Sequence, residues 1–231
     1  MTGVCIIPAR GGSKRIPRKN IKEFCGQPMI AWSLQAAQAS GCFERIIVST
    51  DDTEIAQVAE EYGAEVPFRR SAGLADDHAG TAAVIRDAIQ QLGLAAQTPV
   101  CCLYATAPFI SADDLREGLA HLKQGDAAYV LAVTSFAYPI QRALRRSSAG
   151  QVEMFEPQHL QSRSQDLTEA WHDAGQFYWA NAETWNSGQD ILAQGAYGIA
   201  LPRYRVQDID TFEDWRCAEL NMRALLAETK P

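Results

Sequence analysis

An apolar run, Val4 to Ile7, opens directly into Pro8-Ala9-Arg10-Gly11-Gly12-Ser13-Lys14-Arg15-Ile16-Pro17-Arg18-Lys19-Asn20. A strand that delivers two glycines, a serine and five basic residues at its carboxyl end narrows the folds open to the chain. In open α/β sheets that end is where ligands sit. Gly11 and Gly12 tolerate φ > 0 and let backbone N–H groups come close to oxygens, so the turn can form an anion nest. Ser13 adds a hydroxyl donor, and Arg10, Lys14, Arg15, Arg18 and Lys19 put charge where a polyphosphate would lie. The loop lacks both the Gly-Lys-Ser/Thr ending of a Walker motif and the G-x-G-x-x-G of a dinucleotide site, which indicates a different nucleotide-binding design. The competing reading is a solvated basic surface loop. Its place after the first strand, in a chain of net charge −7, favours phosphate.

Composition bounds the function further. With 231 residues, 47% of them hydrophobic, the chain is long enough for a full core, and one α/β domain with a smaller appendage is expected. The acidic balance argues against nucleic acid as the main partner. No apolar stretch reaches the length of a membrane span, and the first strand begins with no leader, so a cytoplasmic protein is expected. The six cysteines show no C-x-x-C spacing. Cys5, Cys101 and Cys102 fall inside apolar runs, where a thiol behaves as a small hydrophobe.

Strand and helix signals alternate along the chain, the pattern of a mostly parallel sheet covered by helices. Pro28 and Gly41 bracket a helix from Met29, Arg45–Thr50 reads as a strand, and Asp51 or Asp52 caps a helix ending before Gly63. Glu65–Phe68 reads as a short strand, Thr81–Leu92 as a helix and Val100–Tyr104 as a central strand. Ser111 and Asp114 form a capping box for a helix near 113–124, with a strand over Ala127–Val133. Between about 137 and 176 the periodicity loosens into an inserted arm. Phe155, Leu160, Leu167 and Trp171 need burial there, and dimerisation is one way to provide it. Regular pattern resumes at Gln176–Ala180 and Tyr197–Leu201. A last helix from about Thr211 places Phe212, Trp215, Ala218, Met222 and Leu225 on one face.

Asp208-Ile209-Asp210-Thr211 is the second chemical signal. Aspartates two apart on an extended segment project to the same side. Two carboxylates facing a triphosphate suit Mg²⁺, a hard ion held by one or two carboxylates together with phosphate oxygens and waters. The alternative is that Asp210 or Thr211 N-caps the last helix.

Taken together, these blocks resemble the cytidylyltransferases that activate sialic acids and related nine-carbon sugars. The resemblance rests on Ile7 to Lys14 with Pro17, Lys19 and Asn20, on Ile47-Val48-Ser49-Thr50-Asp51, on Arg70 and Leu74-Ala75-Asp76-Asp77, and on Asp208 to Thr211. The blocks follow the family's order over nearly the whole chain. The chain departs from the sialic acid branch at Tyr104-Ala105-Thr106-Ala107-Pro108, where that branch has Gln-Pro-Thr-Ser/Asn-Pro. It departs again at His172-Asp173-Ala174-Gly175, where Arg-x-Asn-Gly is typical, and at Arg15, where glycine is usual. These variants, with Gln176-Phe177-Tyr178-Trp179, are similar to the branch whose sugar is pseudaminic acid.

The resemblance implies a three-layer, Rossmann-like fold of the nucleotide-diphospho-sugar transferase type, Mg²⁺ dependence, and a homodimer whose arm reaches the neighbouring site. It implies that CTP and pseudaminic acid give CMP-pseudaminic acid and pyrophosphate, by in-line attack of the anomeric hydroxyl on the α-phosphorus. Arg10 and Lys14 would neutralise the phosphates, with Ser13 and the Gly11 and Gly12 amides bonding oxygens. Ala9, Asn20, Arg70 and Thr81 would belong to the CTP pocket, and Asp208 and Asp210 would hold the metal. Tyr104, Thr106, Arg163, His172, Gln176 and Phe177 are the positions for the sugar. Some keep a second reading: Thr81 as a helix cap, Arg163 as a surface arginine, His172 as a hydrogen-bonded structural residue instead of a general base. One rival function is the same chemistry on sialic or legionaminic acid. Another is a non-catalytic nucleotide binder, which the presence of Lys14, Asp208 and Asp210 opposes.

Overall fold

The computed structural model describes residues 2–74 and 80–228, so Ala75, Asp76 and Asp77 of the sequence blocks lie outside the described residues. The apolar run becomes β1 (Gly3–Pro8), and two short strands, β2 (Glu23–Phe24) and β3 (Gln27–Pro28), lead into α1 (Met29–Ser40). There follow β4 (Phe43–Ser49), α2 (Thr53–Glu61), α3 (Thr81–Leu92), β5 (Pro99–Leu103), α4 (Ala112–Gln124) and β6 (Tyr129–Ser135). A small antiparallel ribbon, β7 (Leu144–Arg146) with β8 (Val152–Met154), precedes β9 (Trp171–Asn181), α5 (Ala182–Ser187), β10 (Ala196–Ala200) and α6 (Phe212–Glu228). Punctuation follows chemistry: Asp52 caps α2 by accepting from the Ile55 N–H, Ser111 and Asp114 complete their capping box, and Gly41, Gly93 and Gly125 end helices at positive φ.

Six strands form one sheet in the order β10-β6-β9-β5-β1-β4, parallel except that β9 runs against both its neighbours. Strand alternation divides the core in two. Cys5, Ile7, Val48, Cys101, Leu103 and Trp179 pack beneath α1, α2 and α4, whereas Val4, Ile6, Ile47, Val100, Cys102 and Tyr178 pack beneath α3 and α5. The result is the expected three-layer α/β sandwich. Gly118 lets α4 lie close to the sheet: a Cβ there would stand 2.7 Å from Trp179 and 2.9 Å from Phe177.

A third core lies beyond the carboxyl ends of the strands. Ile16 from the basic loop, Ile209 from between the two aspartates, Phe24, Met29 and Phe109 pack with Trp215, Ala218 and Met222 of α6. Trp215 meets Phe24 edge to face at 5.4 Å between centroids.

Three expectations need correction. Glu65–Phe68 forms no strand, only isolated pairings of Glu65 with Ile47 and Arg69 with Thr50, because Pro67 between them has no N–H to give. The sheet resumes at Trp171 rather than Gln176. Residues 171–173 pair with β6 on one side only, which lets polar residues stand where a central strand would show none. Phe212 is exposed at the start of α6. Within the segment 136–170, Tyr138, Leu144, Val152, Phe155 and Leu160 are exposed, so the single chain does not bury them. Among the described residues no helix is long and apolar enough to cross a membrane.

The tight approach at Gly118 is testable. Gly118→Val should lower the unfolding free energy by about 1–3 kcal/mol through overpacking against Trp179. Gly73→Ala, whose Cβ would enter open space, should change it by less than about 0.5 kcal/mol in the same urea titration.

Candidate functional site

A cleft of about 320 Å³ opens at the carboxyl ends of β1 and β5, and it gathers Arg10, Ser13, Asn20, Arg70, Thr81, Tyr104, Thr106 and Asp210 from widely separated parts of the chain. Arg15, Lys19, Pro8, Leu74 and Val84 complete most of the wall. Gly11, Gly12 and Lys14 stand outside the lining, next in sequence to residues that form it, and Asp208 stands outside it two positions before Asp210. Ala9 is buried under the loop, its N–H donating to the Ser49 carbonyl at 3.0 Å.

The basic loop is built differently from a glycine nest. Neither Gly11 nor Gly12 takes a positive φ; the left-handed residue is Arg18, at φ 58. An arginine there is strained and needs outside support. Its guanidinium forks onto Asp52, at 2.5 and 2.9 Å, and also pairs with Glu54. Gly11 is required for close approach, since a Cβ would meet the Asp52 carboxylate at 2.7 Å. Its N–H donates to Asp51 at 3.0 Å, so this amide serves the loop and is not offered to a ligand. The buried Asn20 side chain donates to the Arg10 carbonyl at 3.0 Å and holds the loop closed.

On the opposite wall, the buried Arg70 guanidinium bonds the Ser49 hydroxyl and carbonyl. Burial pulls its pKa down, and the charge of Asp51 works against that. Thr81 is the first residue of α3 and Gly80 occupies the cap position. The Thr81 hydroxyl instead bonds the Tyr104 hydroxyl at 3.1 Å, so it does not serve as the helix cap.

The acidic segment is held from three directions. Arg205 pairs with Asp114 of the capping box and donates to the Phe109 carbonyl, while the Gln176 amide donates to the Arg205 carbonyl at 2.7 Å. Lys19 donates to the Ile209 carbonyl at 2.6 Å and lies 3.3 Å from Asp210, whose other oxygen takes Arg15 at 2.7 Å. Thr211 and Asp214 cap α6 reciprocally, so the cap does not use the Asp210 carboxylate. Partial desolvation and then the charge of Asp210 push the Asp208 carboxyl above its ordinary pKa. Two carboxylates that repel each other suit a divalent cation. No third His, Cys, Asp or Glu joins them among the described residues, so they fit an ion that completes its shell with phosphate oxygens and waters.

Four positions assigned to the sugar lie elsewhere. Phe177 is wholly buried beneath α4 and cannot touch a ligand. Gln176 is buried and acts on the acidic segment through Arg205. Arg163 is exposed and paired with Asp166 at 2.7 Å. His172 packs on Phe136 and bonds the Asp173 carbonyl, away from the cleft. Sequence reasoning missed Arg205, Asp114 and Tyr178. Of these, Asp114 was legible as half of a capping box and Tyr178 as part of the Gln176–Trp179 block, while Arg205 left no signal.

A family model described as Cytidylyltransferase matches residues 4–219. The pseudaminic acid cytidylyltransferase of Campylobacter jejuni subsp. jejuni serotype O:2 is 46% identical over 95% of this chain and 96% of its own. The CMP-N,N′-diacetyllegionaminic acid synthase of Legionella pneumophila subsp. pneumophila is 32% identical over 96% of this chain and 99% of its own. Among solved structures, a CMP:2-keto-3-deoxy-manno-octonic acid synthetase complexed with CTP superposes with a TM-score of 0.69 at 17% identity, over the full length of both chains, and so shares the fold.

The Arg18 fork holds the Asp52 carboxyl down to about 2, against about 3.9 for a free aspartate. A lowered carboxylate pKa stabilises above the free value, and the gain is lost as pH falls through the folded one. Screening at Arg18, whose side chain is 37% exposed, reduces the gain to about 1 kcal/mol. The unfolding free energy from urea titration should therefore fall between about pH 4 and pH 2 by that amount more in the parent chain than in Asp52→Asn. Equal slopes would assign the fork no stabilising role.

Proposed function

Because the chain belongs to the cytidylyltransferase family, we propose that it joins CTP to pseudaminic acid, releasing pyrophosphate and giving CMP-pseudaminic acid. The observation that carries the choice of sugar is the 46% identity, along nearly the whole length of both chains, to the Campylobacter pseudaminic acid enzyme. The cleft supports the chemistry. Basic residues of the loop and Asp210 of the acidic segment line one cleft.

In this reading the sugar's anomeric hydroxyl attacks the α-phosphorus opposite the departing pyrophosphate, and the protein works by positioning and charge neutralisation. Arg10 and Lys14 neutralise the phosphates, with Ser13 and the Gly12 amide donating to their oxygens. Gly11 shapes the loop. Arg70, Thr81 and the Ala9 backbone border the nucleoside, and Tyr104 and Thr106 border the sugar. Asp208 and Asp210 would hold Mg²⁺, which when bound shields phosphate charge and makes a coordinated hydroxyl more acidic. Arg15 and Lys19, which hold Asp210 in this structure, then lie beside both the carboxylate and the phosphates. The exposed apolar side chains of residues 136–170 suit a homodimer in which the arm, carrying Arg163, covers the partner's cleft.

Pyrophosphate release from CTP and Mg²⁺ should be fastest with pseudaminic acid when N-acetylneuraminic and legionaminic acids are offered separately. Lys14→Ala and Asp210→Ala should each reduce turnover by about two to three powers of ten, the scale of a lost transition-state contact. Faster release with another acid would move the chain to that branch. CTP should raise the melting temperature more with Mg²⁺ than without it, whereas a binder that makes no use of metal would respond alike.

A further inference from the structure

The stretch that carries Asp208 and Asp210 has no ladder of its own. From Gln207 to Asp210, no backbone group bonds another backbone group among the described residues. Such a stretch stands where side chains from elsewhere hold it. On its far side the reciprocal cap of α6 begins at Thr211, and the Lys19 ammonium takes the Ile209 carbonyl. On its near side the hold is Arg205, three positions before Asp208.

Arg205 is gripped at both its side chain and its backbone. Nε and Nη2 donate to the Phe109 carbonyl at 3.3 and 3.2 Å, and Nη2 also pairs with the Asp114 carboxylate. The Arg205 carbonyl accepts the Gln176 amide at 2.7 Å. Little water reaches the cluster, since the side chains of Arg205 and Asp114 are 19% and 11% exposed and Gln176 is buried. Each partner is itself fixed. Asp114 accepts the Ser111 N–H and hydroxyl at 2.9 and 2.7 Å, in the box that starts α4. The Phe109 ring packs in the core that encloses Ile209. Gln176 lies in a bulge of β9. Leu131 pairs with Tyr178 and Val133 with Asp173, so a two-residue step on β6 spans five residues of β9, and Gly175 takes φ 61. The chain also enters this turn from a fixed point, because the Thr134 hydroxyl donates to the Leu201 carbonyl at 2.8 Å.

Arg205, Asp114 and Gln176 stand outside the lining of the cleft, so their bonds serve the segment and not a ligand. We propose that Arg205 is a positioning residue for the metal pair. Clamped between Asp114 and the Phe109 carbonyl and held at its backbone by Gln176, it sets where Asp208 and Asp210 stand against the phosphates. The proposal rests on the reading that these two carboxylates hold Mg²⁺. A planar guanidinium satisfies a carbonyl and a carboxylate together, which the single ammonium of a lysine does not. Ligating groups depend on such outer contacts, whose loss lowers metal affinity by about 10- to 100-fold.

The test compares Arg205→Lys and Gln176→Met with Arg203→Lys. Arg203 belongs to the same turn, is exposed, and makes no side-chain hydrogen bond or ion pair among the described residues. Gln176→Met removes the donor together with a buried amide oxygen that has no partner among the described residues. Two half-saturations by free Mg²⁺ are read. One is the rise in melting temperature that Mg²⁺ adds to saturating CTP, with no sugar present. The other is pyrophosphate release at saturating CTP and the best nine-carbon acid. Both should increase about tenfold in Arg205→Lys and about threefold in Gln176→Met, the scale of one neutral hydrogen bond. In Arg203→Lys both should stay within about twofold of the parent chain. A role in folding alone would lower the melting temperature of the metal-free protein and leave both half-saturations unchanged, and that result overturns the proposal. An equal increase in Arg203→Lys overturns it too. If Arg205→Lys does not fold, Gln176→Met set against Arg203→Lys decides by the same criteria. The melting readout needs no turnover, so it decides even if no sugar is accepted. If Mg²⁺ adds nothing to CTP in the parent chain, or if Asp208→Asn and Asp210→Asn leave its half-saturation unchanged, the metal reading itself fails and the role of Arg205 falls with it.

Discussion

The burial of Ile16 against Ile209 is the contact on which the candidate site depends. Each isoleucine lies within a polar stretch, the first among the basic residues of the loop and the second between two aspartates, and both are fully enclosed by α6 and Phe109. Hydrophobic burial is non-directional, but it is strong enough to pin two segments 190 residues apart to one spot, as the Lys19 to Ile209 hydrogen bond records. Once pinned, the charges on either side face each other. Without this core the basic loop would be a solvated loop and the aspartates a helix approach, the bland readings that each segment allows in isolation.

The electrostatics of the cleft follow from that geometry. Arg18 is anchored by Asp52 and Glu54, and Arg205 by Asp114, so these two cations serve the architecture. Arg15 and Lys19 lie against Asp210 at the edge of the cleft. Arg70 is the exception in kind. It is buried, carries a pKa lowered by desolvation and bonds the Ser49 hydroxyl and carbonyl. A guanidinium is expensive to bury, and one that borders a cleft is well placed to meet an acceptor there.

The reversed strand decides where the variable parts of the molecule sit. Because β9 runs against β5 and β6, its first residues lie at the same end of the sheet as the last residues of the parallel strands. The segment joining β6 to β9 must therefore emerge at the cleft end. That is why residues 136–170, with their exposed aromatic and aliphatic side chains, hang beside the site and not at the opposite pole. The bulge at Gly175 also belongs to this end, where β9 is paired on one side and has room to depart from regularity.

Much of the fold could be read from local chemistry. Helix ends were legible at Pro28, Gly41, Asp52 and Ser111 because caps act on their own turn. The strands showed themselves through apolar runs. The phosphate-like loop and the Asp208–Asp210 pair were legible as residue types. Their supports were not. The conformation of Gly11 depends on Asp51 and Asp52, the burial of Phe177 on Gly118, and the place of Thr81 on Tyr104. By itself, then, the sequence determined the layered α/β architecture and the chemical character of the site, because propensity, capping and periodicity act over a few residues. The tertiary structure alone decided which charges meet and which of the named side chains reach the cleft. Those outcomes depend on burial and hydrogen bonding between segments far apart in the chain, and no local pattern encodes them.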